Sequence, residues 1–266
     1  MLKTSQLVTY QNFAEECARA AGQFIIENKT KTLDIDFKGR ANLVTQIDRH
    51  SEEIIVTRIQ AQYPDHQILT EETPPVESNS AFKWIIDPLD GTTNYVHGFP
   101  FYAVSIGLEY DGEIVMGVVF IPETYELFSA QKGKGARLNG NPIQVSNTAD
   151  LQYSLLATGF PYELLDHFYE NMSFFKSFYE RSQSVRRAGA AAIDLCYTAC
   201  GRFDGFWEMD LKPWDTAAGI VIVREAGGTV TDFQGNDFSI YGNKVVASNS
   251  LIHPQMLGIL QSASAP

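Results

Sequence analysis

At 266 residues, with 44% hydrophobic and 20% charged side chains, the chain could form one large domain or two packed subdomains, and its composition is that of a soluble globular protein. Its formal charge of −12, from 20 Lys+Arg against 32 Asp+Glu, argues against general nucleic-acid binding and against a polybasic membrane patch, since both need a basic surface. An anionic substrate is compatible with this charge if metal ions invert it locally.

Phe13, Cys17, Ala20, Ala21 and Phe24 recur at helical intervals, which predicts an amphipathic helix over 5–28. No unbroken apolar stretch marks a secretory leader there. A second helix is expected from about Ile47 to Tyr63, with Ile54, Ile55 and Ile59 on one face. The segment His66–Thr70 reads as a short strand ending at Glu71-Glu72, followed by a polar loop with two prolines. Phe82–Ile86 is the next strand. Residues 101–109, 113–121 and 126–130 run apolar or alternate between turn signals, which predicts an antiparallel meander.

Asn139-Gly140 is a hairpin-turn signal. Gly133-Lys134-Gly135, just before it, could suggest a phosphate loop, but the Walker spacing is absent and no strand-to-helix unit surrounds it. From about residue 150 the texture changes. Helices are expected at 163–182, 189–201 and 215–226, and strands at 153–158, 203–208, 228–233 and 244–248. Gly227-Gly228 closes the helix that begins near Asp215. The fold class is therefore α/β (α+β): two α/β layers sharing one cleft, with residues 1–148 and 149–266 as subdomains of one catalytic unit.

The longest apolar run, near Ile114–Ile121, is interrupted by Gly117 and is far shorter than a membrane span. Three cysteines (Cys17, Cys196, Cys200) lack metal-site spacing and read as buried free thiols in a reducing compartment. Nothing directs the chain out of the cytoplasm. His50, His66, His97, His167 and His253 have no metal-ligand spacing and read as structural or surface residues. Arg186-Arg187 reads as a solvated or interface pair.

The chemistry concentrates in Trp84–Tyr95, WIIDPLDGTTNY. Taken alone, Asp87-Pro88 and Asp90-Gly91 are common turn dipeptides. Yet the two carboxylates lie three residues apart at the end of a buried strand, where mutual repulsion demands a cation. Gly91-Thr92-Thr93 supplies backbone N–H groups and hydroxyls of the kind that cradle phosphate. Glu71 ends the preceding strand in the same manner. Oxygen-only ligands at such a rim suit Mg²⁺ or Mn²⁺, not zinc. Asp215, in KPWDTAAGIVIVREAGG, either caps its own helix, faces the same site, or does both.

WIIDPLDGTTNYVHGFP together with LKPWDTAAGIVIVREAGG resembles the two signature motifs of the inositol monophosphatase family, Mg²⁺-dependent and lithium-sensitive phosphatases of the sugar-phosphatase superfamily. LVTQID, LTEE, GKGARLNG, RRAGAAAIDL and GRFDGFWE resemble family segments in family order, so the resemblance spans roughly residues 5–250. It implies a layered αβαβα sandwich with mixed and antiparallel sheets. It also implies a cytoplasmic, homodimeric enzyme acting on a small phosphate monoester, with no nucleic-acid or membrane partner.

The resemblance implies specific roles. Glu71, Asp87 and the Leu89 carbonyl would bind one Mg²⁺, and Asp87, Asp90 and Asp215 a second. Glu71 would also serve a third ion, and Mn²⁺ could substitute. Thr92 and Asp48, with Glu71, would orient and deprotonate the attacking water. Asp90, Gly91, Thr92 and Asp215 would lie against the substrate. Gly189, Ala190, Ala191 and Glu208 would contact its alcohol part. Lys38 would correspond to a basic residue near the metals.

No G-x-S-x-G serine or Cys–His signature suggests a covalent intermediate. Thr93-Asn94 and Glu208 favour inositol monophosphates over the alternatives: fructose 1,6-bisphosphate, other sugar phosphates, nucleotide (3′-phosphoadenosine 5′-phosphate or NADP) or histidinol phosphate. Asp210 and Lys212 depart from close relatives and put extra charge beside the sugar-side pocket. An alternative of another class is a non-catalytic interaction protein on the same fold.

Overall fold

The computed structural model describes residues 4–29, 35–37, 43–161 and 166–262. In chain order the first half comprises α1 (Thr4–Glu27), a short antiparallel ribbon β1 (Ile35–Phe37) and β2 (Leu43–Thr45), α2 (Gln46–Gln62), β3 (Gln67–Thr70), β4 (Phe82–Asp90), α3 (Thr92–Val96), β5 (Ala103–Tyr110), β6 (Glu113–Ile121), β7 (Glu126–Gln131), β8 (Ala136–Leu138) and β9 (Asn141–Ile143). Strands β3 to β9 lie side by side in sequence order in one seven-stranded sheet. The β3–β4 pair is parallel and the rest form the expected antiparallel meander.

The second half comprises β10 (Leu155–Thr158), α4 (Asp166–Tyr179), β11 (Ser184–Arg186), α5 (Ala191–Ala199), β12 (Gly205–Met209), α6 (Pro213–Glu225), β13 (Thr229–Thr231), β14 (Lys244–Ser248) and α7 (His253–Ser262). Its sheet is mixed, in the order β11-β10-β12-β14-β13.

Alternation along the strands builds three packed layers of side chains. Trp84 and Ile86 of β4 face α1 and α2, burying Ala14, Cys17, Ile25, Ile55 and Ile59. Ile85 faces the other way, into a core made with α5, α6 and residues such as Phe206 and Ala247 of the second sheet. The far face of that sheet, with Trp207 and Val246, is covered by Phe174 and Phe178 of α4 and by Met256 and Leu260 of α7. The order is helices, sheet, helices, sheet, helices, which is the αβαβα sandwich. Both sheets are covered on both faces, so their central strands read as continuous apolar runs.

One close approach positions a functional residue. Gly107 of β5 and Gly117 of β6 are cross-strand partners, and α6 lies on them. A Cβ at Gly117 would fall 2.4 Å from the Ala218 carbonyl oxygen, and one at Gly107 would fall 2.8 Å from Ala217 Cβ. Paired glycines let the helix sink onto the sheet, which brings its first turn, with Asp215, toward the end of β4.

The structure corrects several sequence-based expectations. β4 does not stop at Ile86 but continues through Asp87-Pro88-Leu89-Asp90, and the helix expected over 163–182 is described only from Asp166 to Tyr179. Helices α3 and α7 and strands β1, β2 and β11 are additional. α3, five residues long, is too short to display a repeating apolar face, and the strands are three residues each, below the length at which alternation is readable. Lys38 lies outside the described residues.

Candidate active site

A regular strand would send Asp87 and Asp90, three residues apart, to opposite faces of the sheet. It does not do so here. Asp87 pairs with Ser105 and Asp90 with Ala103, so three steps on β4 span two on β5. This one-residue β-bulge re-phases the strand and turns both carboxylates to one side. Pro88, which lacks an N–H, sits inside the bulge, where no ladder bond is required of it. β3 runs parallel to β4 with Thr70 opposite Ile86, so Glu71 emerges beside Asp87. Asp215 arrives from the first turn of α6, where its Oδ2 accepts the Lys212 backbone N–H at 2.6 Å. It also lies within hydrogen-bonding reach of Asp87. Asp215 thus caps its own helix and lies beside Asp87.

The four carboxylates disturb one another. Asp87 is 1% exposed. Burial, and then the charges of Glu71, Asp90 and Asp215, raise its carboxyl well above the usual range, although its Oδ1 accepts the Leu89 N–H at 3.0 Å. Burial and the Asp215 charge do the same to Asp90, against the donation of Ala192 N–H to its Oδ2 at 2.8 Å. Asp215 is pushed up to about 6 by its removal from water, opposed by the Lys212 backbone and charge. Among the described residues no lysine or arginine forms an ion pair with Asp87 or Asp90. Burying an uncompensated carboxylate costs several kcal/mol, roughly, per ion, so the cluster calls for an external cation.

Among the described residues no three Asp, Glu, His or Cys side chains converge tightly enough to form a ready-made metal cage. The donor chemistry nonetheless fits a hard divalent ion: oxygen atoms only, in mutual repulsion, with the Leu89 carbonyl beside them. Such a cation would draw together groups that now repel.

Asp48 and Thr92 form the second part of the site. Asp48, at the third position of α2 and 1% exposed, closes a capping box: its Oδ2 accepts the Thr45 N–H at 2.8 Å and the Thr45 hydroxyl at 2.6 Å. Its Oδ1 is thereby fixed to accept the Thr92 hydroxyl at 2.7 Å. Burial raises the Asp48 carboxyl, and the Thr45 and Thr92 bonds oppose that rise. The Thr92 hydroxyl also lies 3.1 Å from the Leu89 carbonyl. Gly91, with φ of +90°, starts α3 without a side-chain cap.

Gly189, Ala190 and Ala191 form the entry to α5, tied to α3 by Asn94, whose Nδ2 lies 2.7, 2.9 and 3.2 Å from the carbonyls of Phe101, Ala188 and Gly189. Glu208 lies in β12, one residue before its end, and is 9% exposed. Burial, then Asp215 and Asp90, raise its carboxyl, and Arg187 opposes them. Every described residue expected in the site is thus gathered along one rim. The extra charge expected at Asp210 is engaged by His167 Nδ1 at 2.7 Å.

Other side chains escaped the sequence reading. Ser51 donates to the Pro88 carbonyl at 2.7 Å and braces the bulge from α2. Glu52, 2% exposed, accepts the Thr70 hydroxyl at 2.5 Å and the Glu72 N–H at 2.9 Å, bracketing Glu71. Asp194 is 1% exposed, has no hydrogen-bond partner for either oxygen among the described residues, and is raised by burial and by Glu208 and Asp90. An aspartate inside the apolar run AAIDLC was the available signal for it. The histidines are structural where they are buried: His66 accepts from Trp84 Nε1 at 3.1 Å, and His253 bonds Thr231 and Ser248.

A sequence profile described as the inositol monophosphatase family matches residues 6–265. The chain belongs to this family. An inositol-1-monophosphatase of Synechocystis is 46% identical over 95% of this chain and 88% of that protein. A Nus factor SuhB of Vibrio cholerae is 44% identical over 90% of each. Among solved structures, the extragenic suppressor protein suhB of Bartonella henselae superimposes with a TM-score of 0.92 at 38% identity, covering 95% of this chain and 98% of that one. The inositol monophosphatase of Anabaena gives 0.87 at 38% identity, covering 97% of each. Family membership makes this a phosphatase, in a family generally dependent on metal ions. No helix among the described residues is long and apolar enough to cross a membrane.

Proposed function

We propose that the protein hydrolyses myo-inositol monophosphate to inositol and phosphate in a Mg²⁺-dependent reaction, with water as the nucleophile. The observation that carries this reading is the Thr92–Asp48 hydrogen bond of 2.7 Å set beside a buried carboxylate cluster. In the proposed roles, Glu71, Asp87, the Leu89 carbonyl, Asp90 and Asp215 would hold the ions. When bound, Mg²⁺ neutralises phosphoryl charge and makes water more acidic.

The remaining chemistry belongs to the chain. Thr92 donates its only hydroxyl proton toward Asp48, which leaves its lone pairs free to accept a proton from the attacking water. Asp48, locked by Thr45, holds that hydroxyl in one orientation. Gly91 and Thr92 present backbone N–H groups to phosphate oxygens. Gly189, Ala190, Ala191 and Glu208 receive the alcohol, with Glu208 accepting hydrogen bonds from substrate hydroxyls. Residues 1–148 supply most ion-binding groups and residues 149–266 complete the site, as one catalytic unit in a homodimer.

The test is phosphate release, with and without Mg²⁺, from inositol 1-phosphate, fructose 1,6-bisphosphate, 3′-phosphoadenosine 5′-phosphate and histidinol phosphate. A clear preference for any of the last three overturns the substrate assignment. The name Nus factor SuhB carried by relatives of 40–44% identity supports a second reading, in which the fold also serves a protein-interaction role. Absence of hydrolysis across the whole panel would favour that reading.

A further inference from the structure

Gly159 follows β10 directly, and its conformation does not call for glycine. Its φ lies outside the left-handed region, so an alanine there would be unstrained by backbone torsion. A side chain accounts for the residue instead. A Cβ at position 159 would fall 1.9 Å from Glu208 Oε1, 2.2 Å from its Cδ and 2.3 Å from its Oε2. The Glu208 carboxylate rests on the bare Cα of Gly159.

The register explains the meeting. β10 and β12 are parallel with Thr158 opposite Trp207, so Gly159, just past the end of β10, lies beside Glu208, which is still within β12. Asn171 of α4, fully buried, sets the spacing between them. Its Nδ2 donates to the Gly159 carbonyl at 2.6 Å, and its Oδ1 accepts the Trp207 indole N–H at 2.7 Å. One amide therefore links the Gly159 backbone to the Trp207 side chain next to Glu208, and a buried amide with both ends satisfied is a rigid strut.

We infer that Gly159 and Asn171 are positioning residues that seat the Glu208 carboxylate and so set the preference for polyhydroxylated over unhydroxylated phosphate monoesters. The inference rests on the reading of Glu208 as the alcohol-side contact. Gly159→Ala is the informative variant because the atoms it displaces are the far end of a flexible side chain. The fold tolerates the change while the carboxylate must move.

The experiment measures kcat/KM for inositol 1-phosphate and for p-nitrophenyl phosphate, which has no hydroxyl, in wild type, Gly159→Ala, Glu208→Gln and the double variant. Loss of hydrogen bonding to one charged group is worth about tenfold or more. The ratio of the two specificity constants is expected to fall about tenfold in Gly159→Ala, through KM for the inositol ester. In the Glu208→Gln background, adding Gly159→Ala should shift the ratio by less than about twofold, the non-additivity expected of residues acting through one group.

An equal fall on both substrates, with the ratio unmoved, overturns the inference, as does an additive double variant. If Glu208→Gln lowers the ratio and Gly159→Ala does not, the alcohol-side reading stands and the positioning fails. If Glu208→Gln leaves the ratio unmoved, the alcohol-side reading itself has failed. Asn171→Ala should shift the ratio in the same direction. Because it also opens a cavity, Gly159→Ala is the deciding variant of the two.

Discussion

Glu225 and Asp87 end up in opposite circumstances, although both are acids meeting a glycine-containing loop. Glu225, at the end of α6, accepts the N–H groups of Gly133, Lys134 and Gly135 at 2.7, 2.9 and 2.8 Å. The loop that could pass for a phosphate cradle is filled by the chain's own carboxylate. Asp87 accepts one N–H and faces three like charges. A satisfied acid contributes to architecture, whereas an acid held among other acids marks a place for a cation. The difference is one of partners, not of local sequence.

The strongest way to break this comparison is Asp90→Asn. Removing one charge from the cluster should abolish Mg²⁺-dependent phosphate release, by about 10³-fold or more, in a phosphate-release assay. Full activity would remove the proposed site. Thr92→Val keeps the shape but removes the hydroxyl held by Asp48. A loss of about 10²-fold in kcat is expected, and it should not be recovered by raising Mg²⁺.

The pH dependence of stability tests the charge imbalance directly. Carboxyls raised in the folded state keep protons that the unfolded chain has already released above about pH 4. Their contribution to stability is therefore lost as pH rises. For Asp215 that loss runs from the usual carboxylate range through about 6, and Asp87 and Asp90, also raised, contribute in the same sense. Metal-free protein should show a falling Tm over this range, with a shallower slope in Asp90→Asn. Mg²⁺ at about 100 times its dissociation constant should raise Tm by roughly 5–10 °C at pH 7.5, and by less at pH 5. An equal shift at both pH values would contradict the proposed cluster.

The smallest effect belongs to the satisfied acid. Glu225→Ala strands three N–H groups at a solvent-accessible loop and should cost about 1–2 kcal/mol of stability, read by thermal unfolding, with kcat unaltered. A large loss of activity there would mean that the two loops are not as different as their partners indicate.

Much of this was legible in the chain. The helical spacing in the first segment, the meander, the Asn139-Gly140 hairpin and the position of Asp215 near a helix start are local facts, fixed by periodicity and turn chemistry over a few residues. The acids were legible as a group only because Glu71 ends one strand and Asp87-Pro88-Leu89-Asp90 ends the next. Glu52, Ser51, Asn171 and Asp194 gave weak local signals, because a polar residue in a helix is informative only when its neighbours across the fold are known.

The sequence alone determined which residue types are available and the course of the longer elements: oxygen ligands only, no nucleophilic serine or cysteine setting, central strands apolar. The tertiary structure decided which of those acids are held among other acids. The β4 bulge turns Asp87 and Asp90 to one side, the glycine pair beneath α6 admits Asp215, and Glu225 closes the competing loop. Each depends on contacts between segments far apart in the chain, and the energy of a charge depends on those contacts and not on its sequence neighbours.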